Sequence, residues 1–269
     1  MIFQIGASEY VKIGTEKSKG TKIFALAGDV KTPGLVEVPM GITLGEIVYD
    51  IGGAEVGTVK AVQTGGPSGG CIPASEFGVK IDYDSLGQLG AIMGSGGLIV
   101  IGNNRCMVET AKYFLNFTRK ESCGKCTFCR VGTTRMYEAL ERITTGKGSM
   151  DDVAFLEDIA PKIKKGALCG LGQTAPNPAL STLRYFRNEY LAHVQDHVCD
   201  ALACPSLVDM AIDSSKCVKC GLCEKTCPVG AIHPKNQFTV ENDKCTKCNS
   251  CVEVCPKKAV SRVRKQSAK

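Results

Sequence analysis

The chain has 269 residues and a formal charge of +6, from 33 Lys+Arg against 27 Asp+Glu, and it carries 16 cysteines. That length suffices for one large domain or two to three small ones with real cores, and balanced hydropathy excludes general disorder. The absence of tryptophan, with only 7 Tyr and 9 Phe, argues against a base-stacking nucleic-acid surface.

In chain order, the first residues lack a basic segment and a small-residue cleavage site, so no secretory leader is expected. Residues 21–27 alternate before the Gly28-Asp29 turn, and Lys31-Thr32-Pro33-Gly34 leads to a second strand over 35–38, which together predict a hairpin. Residues 44–51 predict a short helix, with Thr43 as its cap and Gly52-Gly53 as its end. Further strands are expected over 59–64 and 98–101. Hairpin, helix and further strands form a β-grasp order. The uncharged stretch 85–104 holds six glycines, so it reads as strand and loop rather than a bilayer helix. The loop Gly65-Gly66-Pro67-Ser68-Gly69-Gly70-Cys71 has backbone N–H groups that could face a phosphate or flavin. The turn role is favoured. It lacks a Gly-Lys-Ser/Thr end, and no G-x-G-x-x-G opens a strand–helix unit.

The middle of the chain has helical periodicity. Val131, Met136, Leu140 and Ile143 fall near one stripe. Ser149 with Asp152 marks a helix start, Val153, Leu156, Ile159 and Ile163 continue an apolar face, and Lys162, Lys164, Lys165 and Gly166 mark its end. Asn177-Pro178 opens a last helix, with Leu180, Leu183, Phe186, Tyr190 and Leu191 on its apolar side.

The cysteines supply the chemistry. Without a secretory leader the expected compartment is the cytoplasm, where thiols stay reduced, so metal is the default use of so many. Cys217-x2-Cys220-x2-Cys223-x3-Cys227-Pro228 recurs 28 residues later as Cys245-x2-Cys248-x2-Cys251-x3-Cys255-Pro256. This is the two-cluster ferredoxin spacing, in which the fourth cysteine of each run ligates the other cluster. Cys217, Cys220, Cys223 and Cys255 are therefore expected on one 4Fe-4S cluster, and Cys245, Cys248, Cys251 and Cys227 on a second. Zinc sites rarely show such runs, let alone twice. Cys123, Cys126 and Cys129 repeat the x2-x2 spacing with no Cys-Pro after them. Their fourth ligand must come from afar, and Cys169 in Leu168-Cys169-Gly170-Leu171-Gly172 is the candidate. His193, Cys199 and Cys204 are three ligands of a tetrahedral zinc site, with Cys106, Cys71 or His197 as the fourth.

Residues 1–205 resemble the C-terminal half of the NADH- and flavin-binding subunit of respiratory complex I. They resemble still more closely the corresponding subunit of NAD(P)-dependent, often electron-bifurcating, iron-hydrogenases and formate dehydrogenases. The residues that carry the likeness are Ile13-Gly14-Thr15-Glu16-Lys17-Ser18-Lys19-Gly20-Thr21-Lys22, the Gly65–Cys71 loop, Glu121-Ser122-Cys123-Gly124-Lys125-Cys126 and Leu168-Cys169-Gly170-Leu171-Gly172. The resemblance implies an α+β multidomain chain: a β-grasp, soluble-ligand-binding domain over 1–105, a helical bundle with one 4Fe-4S cluster and a zinc site over 106–212, and a two-cluster ferredoxin domain over 213–258. A basic tail over 259–269 follows. It also implies zinc at His193, Cys199 and Cys204, with Cys106 chosen as the fourth ligand.

Family members carry a flavin domain ahead of this region. FMN and nicotinamide are therefore not expected on this chain: either the flavin domain is a separate partner subunit, whose flavin the Gly65–Gly70 loop would face across an interface, or the chain is a truncated copy of a flavin subunit. The implied role is electron relay through three clusters. It would link a flavin- and NAD(P)-binding subunit, a small thioredoxin-like 2Fe-2S subunit, and a hydrogenase, formate dehydrogenase or transhydrogenase subunit. No membrane insertion is expected. The cysteines are ligands, and no acid/base pair or triad is evident. Lys125 and Arg130, beside the middle cluster, should favour its reduced form. Two other classes compete: a scaffold with structural clusters, and a nucleic-acid binder using Lys257, Lys258, Arg262, Arg264 and Lys265. The second lacks an aromatic platform.

Overall fold

The structure, a computed structural model, describes residues 2–234 and 236–265. Its first unit is a five-stranded sheet of order β2-β1-β5-β3-β4, made of β1 Thr21–Gly28, β2 Gly34–Pro39, β3 Val59–Thr64, β4 Gly70–Pro73 and β5 Gly97–Gly102. β1 and β2 form the expected antiparallel hairpin, with Thr21 opposite Pro39. β1 runs parallel to β5, while β3 is antiparallel to both β4 and β5. Phe24, Leu26, Val62, Ile72, Leu98 and Val100 pack with Leu44, Ile47, Val48 and Leu86 in one core.

Residues 44–51 are helical but widen into a π-type turn over Glu46–Ile51. Thr43 and Glu46 exchange hydrogen bonds at its start, as Glu46 N–H donates to Thr43 Oγ1 (3.2 Å) and Thr43 N–H to Glu46 Oε2 (2.9 Å); this reciprocal cap satisfies two otherwise orphaned donors. The glycine-rich loop is shorter than its composition suggests, because Gly70 and Cys71 already belong to β4 and pair with Thr64 and Gln63. Its tightness demands glycine: a Cβ on Gly69 would stand 1.7 Å from the Thr64 carbonyl oxygen.

The second unit packs four main helices, Met107–Lys120, Thr133–Thr144, Met150–Gly166 and Asn177–Tyr185. Their buried faces share Val108, Leu115, Met136, Leu140, Ile143, Val153, Leu156, Ile163 and Leu183, and Tyr190 of the following segment joins them. The Ser149/Asp152 start is a complete capping box. Two expectations are corrected. Val131 is exposed, because a wide turn over Phe128–Gly132 takes it off the phase of the following helix. The last helix is not continuous: it breaks at Phe186 (φ −127°, ψ 34°) and restarts as Arg187–Leu191, which leaves Leu180 and Leu191 half-buried. Tyr190 stays in the core, its hydroxyl 2.8 Å from Thr182 Oγ1.

The last unit is bounded differently from the sequence expectation. β6 Val208–Ile212 and β9 Val260–Arg264 form one antiparallel ribbon, with Met210 opposite Arg262. Met210 and Val260 are buried with Cys223, Ile232 and Cys251. Residues 208–212 thus pack with the two-cluster unit, and the supposed tail is a strand as far as Arg264; residues 266–269 lie outside the described residues. A five-residue strand with two valines among a serine and two arginines looks like a charged tail until its partner strand is known. A short pair, β7 Ile232–Pro234 and β8 Phe238–Val240, completes the unit.

The 28-residue duplication recurs in the backbone. Positive φ angles occur in pairs at Lys219 and Lys247 (both 57°), Gly221 and Asn249 (75° and 67°), and Gly230 and Lys258 (57° and 48°). Asp213 N–H donates to Ala259 O and Glu241 N–H to Ala231 O, both at 2.7 Å, so the halves exchange the same bond. No helix among the described residues is long and apolar enough to cross a membrane.

Candidate metal centres

All 16 cysteines are free of disulfides. In the duplicated unit, one cavity is lined by Cys217, Cys220, Cys223, Cys255 and Pro256. A second is lined by Cys227, Pro228, Cys245, Cys248 and Cys251. Each draws three sulfurs from one run and the fourth from the other. Backbone donors already face these sulfurs: Ala231 N–H points at Cys227 Sγ and Ala259 N–H at Cys255 Sγ, both at 3.2 Å, and Lys247 N–H at Cys245 Sγ at 3.4 Å. Such N–H groups stabilise anionic thiolate and sulfide. Burial pushes the Cys223 and Cys251 thiols up, and a hydrogen bond from Ser250 pulls Cys248 down. The four-sulfur lining with converging donors fits a cubane in each cavity.

Around the middle run, the backbone of Leu168 and then of Cys129 holds the Cys126 thiol below its ordinary range. The 168–169 segment therefore lies by the 123–129 loop. Cys129 is buried, its Sγ 3.2 Å from Ser122 Oγ, and Gly172 lies against it; a Cβ there would stand 3.1 Å from Cys129 Cβ. Cys123 and Cys169 are exposed, and so are the nearby apolar side chains of Phe128 and Leu168, the latter 80% exposed. Arg130 folds back so that Nη1 donates to Gly124 O at 2.6 Å.

The strongest geometry belongs to Cys106, His193, Cys199 and Cys204. Their ligand atoms all lie within 4.8 Å of one another and all four residues are buried. Cys106 Sγ and Cys204 Sγ are each 3.4 Å from His193 Nε2 and 3.8 Å from each other. Tetrahedral zinc bonds of about 2.3 Å to sulfur and about 2.0–2.1 Å to nitrogen require S···S edges near ~3.8 Å and S···N edges near ~3.5 Å. The four residues therefore fit a cation of zinc's size. His193 Nδ1 is 2.7 Å from the Glu189 carbonyl, so the proton sits there and Nε2 turns its lone pair to the sulfurs. Hydrogen bonds from Cys106 and then Cys204 hold the Cys199 thiol far below its usual range, while the bond to Cys199 pushes Cys106 up. The alternatives for the fourth ligand lie elsewhere. Cys71 is bonded to Gln63 and Ser181. His197 is exposed at φ 54°.

Glu189 is a residue that motif reading passes over. Besides its carbonyl on His193, its carboxylate accepts from Met107 N–H and from Lys60 Nζ, both at 2.8 Å. It thus ties the sheet unit to the helix that starts beside Cys106. Its four-residue offset from His193 in a helix is the available signal.

Comparison with known proteins agrees with this chemistry. Residues 109–193 match the NADH-ubiquinone oxidoreductase-F iron-sulfur binding region. Residues 210–261 match the 4Fe-4S dicluster domain. The chain is 39% identical over 196 residues to the second F-type subunit of the NADH-quinone oxidoreductase of Rhizobium meliloti (strain 1021), covering 72% of this chain and 47% of that protein. It is an iron–sulfur homologue of the F-type subunits of NADH-quinone oxidoreductases. Over 229 residues this F-type homologue is 54% identical to NADP-reducing hydrogenase subunit HndC of Solidesulfovibrio fructosivorans, covering 84% of this chain and 47% of that one. It superposes on the crystal structure of an NAD+-reducing [NiFe]-hydrogenase in the H2-reduced state with a TM-score of 0.66 and 33% identity, covering 73% of this chain and 33% of that chain. The chain spans about half the length of the curated relatives it matches.

Proposed function

We propose that the chain is an electron-relay subunit of a multi-subunit NAD(P)H-linked oxidoreductase. The carrying observation is the pair of four-cysteine cavities built from crossed runs, together with a third cysteine set of which Cys123 and Cys169 are exposed. When bound, 4Fe-4S clusters supply one-electron carriers. The ligand sets are Cys217, Cys220, Cys223 and Cys255; Cys227, Cys245, Cys248 and Cys251; and Cys123, Cys126, Cys129 and Cys169. Zinc at Cys106, His193, Cys199 and Cys204 is structural, because four protein ligands leave no open coordination position. The first unit is read as a β-grasp domain from its strand order and the second as a helical bundle.

The exposed Cys123 and Cys169, with the apolar Phe128 and Leu168 beside them, support electron exchange with a partner at that point. This position suits a partner that binds flavin and NAD(P). A small 2Fe-2S subunit and a hydrogenase, formate dehydrogenase or transhydrogenase subunit are the further partners, in the cytoplasm. The relay is tested on the purified complex by stopped-flow reduction with NADH or NADPH. Cluster bleaching within the turnover time is expected. Clusters that never reduce during turnover would leave the structural-scaffold reading instead.

A further inference from the structure

The basic side chains of β9 and of Lys265 after it face the chain's own 199–206 segment. Arg264 Nε lies 3.2 Å from Asp200 Oδ1, and Lys265 Nζ donates to Ser206 O at 3.4 Å. Arg262 reaches further. Its Nη1 donates to the Leu202 and Ala203 carbonyls at 3.0 and 3.2 Å, between Cys199 and Cys204. Its Nη2 donates to Lys247 O at 3.3 Å and its Nε to Asn249 Oδ1 at 3.1 Å, between Cys245 and Cys251. One half-buried guanidinium therefore holds two acceptors on each of two ligand loops. A planar fork of fixed donors can do this and a lysine ammonium cannot. Leu202, Lys247 and Asn249 all have positive φ, so the guanidinium grips both loops where their backbones turn out of the usual direction.

The duplication supplies an internal comparison. Twenty-eight residues before Arg262, Asn249 and Lys247 stand Pro234, Gly221 and Lys219, and Lys219 is exposed. Lys247 instead has its side chain 9% exposed and its ammonium on Asn242 O and Oδ1 at 3.0 and 2.6 Å, with Asp209 3.8 Å away. The guanidinium thus bonds the Cys245–Cys251 loop directly, and Lys247, itself in that loop, is anchored by its ammonium to Asn242; the equivalent residues of the first run, Pro234 and the exposed Lys219, offer neither.

We infer that Arg262 is a positioning residue that couples the Cys106/His193/Cys199/Cys204 centre to the cluster of the Cys245–Cys251 loop, so that metal at the first site helps set the reduction potential at the second. This rests on the reading that the cavities hold cubanes and the Cys/His group holds a metal. Metal fixes the 199–204 loop and so its carbonyls. The carbonyls hold the guanidinium against the cluster loop, and its positive charge favours the more negative, reduced cluster.

The test uses the full chain with its centres loaded. Metal content comes first: wild-type protein with no iron in the two-cluster unit, or no metal at the Cys/His site, overturns the underlying reading and the coupling with it. With both present, the coupling is judged by EPR-monitored redox titration and by amide exchange of residues 199–204. In Arg262→Gln, the reduction equilibrium of one of the two clusters in that unit should fall about tenfold, ~59 mV for a one-electron couple, while the other stays in place. Exchange over 199–204 should rise at least tenfold. Arg262→Lys, which keeps the charge without the fork, should recover only part of the potential and little of the protection. His193→Ala, lacking the metal, should shift the same cluster, and should add nothing in the Arg262→Gln background. Unchanged potentials in Arg262→Gln, equal shifts in both clusters, or a His193→Ala shift that persists in the double variant would overturn it. Should His193→Ala not fold, the Gln and Lys variants decide alone.

Discussion

Cys71 sits between the sheet and the Asn177–Tyr185 helix, with its N–H on Ser181 Oγ and its Sγ 2.9 Å from Gln63 Oε1. Burial pushes its thiol from 9.0 up to about 12. The folded chain then keeps a proton that the unfolded chain loses near pH 9. Its contribution to stability is complete below that pH and fades as pH climbs towards 12. We expect the urea midpoint, followed by circular dichroism, to fall over that window, and less steeply in Cys71→Ala. Cys126 and Cys248 behave oppositely, held down by the Leu168 backbone and by Ser250. In the cluster-free chain they should be alkylated by iodoacetamide at a pH where Cys71 is inert; mass spectrometry reads the order, and equal labelling would refute it. Lys125 is exposed beside the same loop. Lys125→Gln should lower the potential of the Cys123–Cys169 cluster, because a positive charge favours the reduced form; an unchanged or higher value in a redox titration would refute that.

At the level of elements, the Met150–Gly166 helix depends on Asp152, which reciprocates the Ser149 cap and accepts from Arg142 Nε at 3.0 Å. Asp152→Ala loses both, and chemical denaturation should register about 2 kcal/mol. The duplication makes a sharper prediction. Asn249 already holds the left-handed conformation that Gly221 holds, and a Cβ on Gly221 meets open space. Gly221→Asn should therefore retain iron, whereas Gly221→Val should lose it from the two-cluster unit. Much of this was legible beforehand, because caps and ligand runs are local: Ser149 and Asp152 act three residues apart, and each cysteine run closes within a few residues. The break at Phe186 was not, since an apolar stripe continues across it. The β6–β9 ribbon was hidden too, because each strand alone is five residues long. Cys106 lies 87 residues before His193, a separation that spacing cannot bridge and only the packing of the Met107–Lys120 helix closes.

For the molecule as a whole, the +6 formal charge counts every thiol as neutral. Three oxidised cubanes with their thiolates bring about −6, and zinc on three thiolates and an imidazole about −1. The loaded protein should be close to neutral. Metal analysis should find about 12 Fe and one Zn per chain, and native electrophoresis should show the cluster-free chain markedly more cationic than the loaded one. Iron near eight would remove the middle cluster. The basic residues thus act largely as internal counter-charge, Arg262 and Lys247 being the clearest cases.

The ribbon that hid from the sequence has one more consequence. Val208 stands opposite Arg264, so the chain enters and leaves the two-cluster unit on neighbouring strands, about 5 Å apart. Everything between them is one excursion from a single junction, held to the preceding loop through Arg262 and Arg264. Such a unit is a cassette: it can be removed or transplanted at one junction with little strain on the host backbone, and a polypeptide fused beyond it would emerge beside the loop of Cys199 and Cys204 rather than at the far tip.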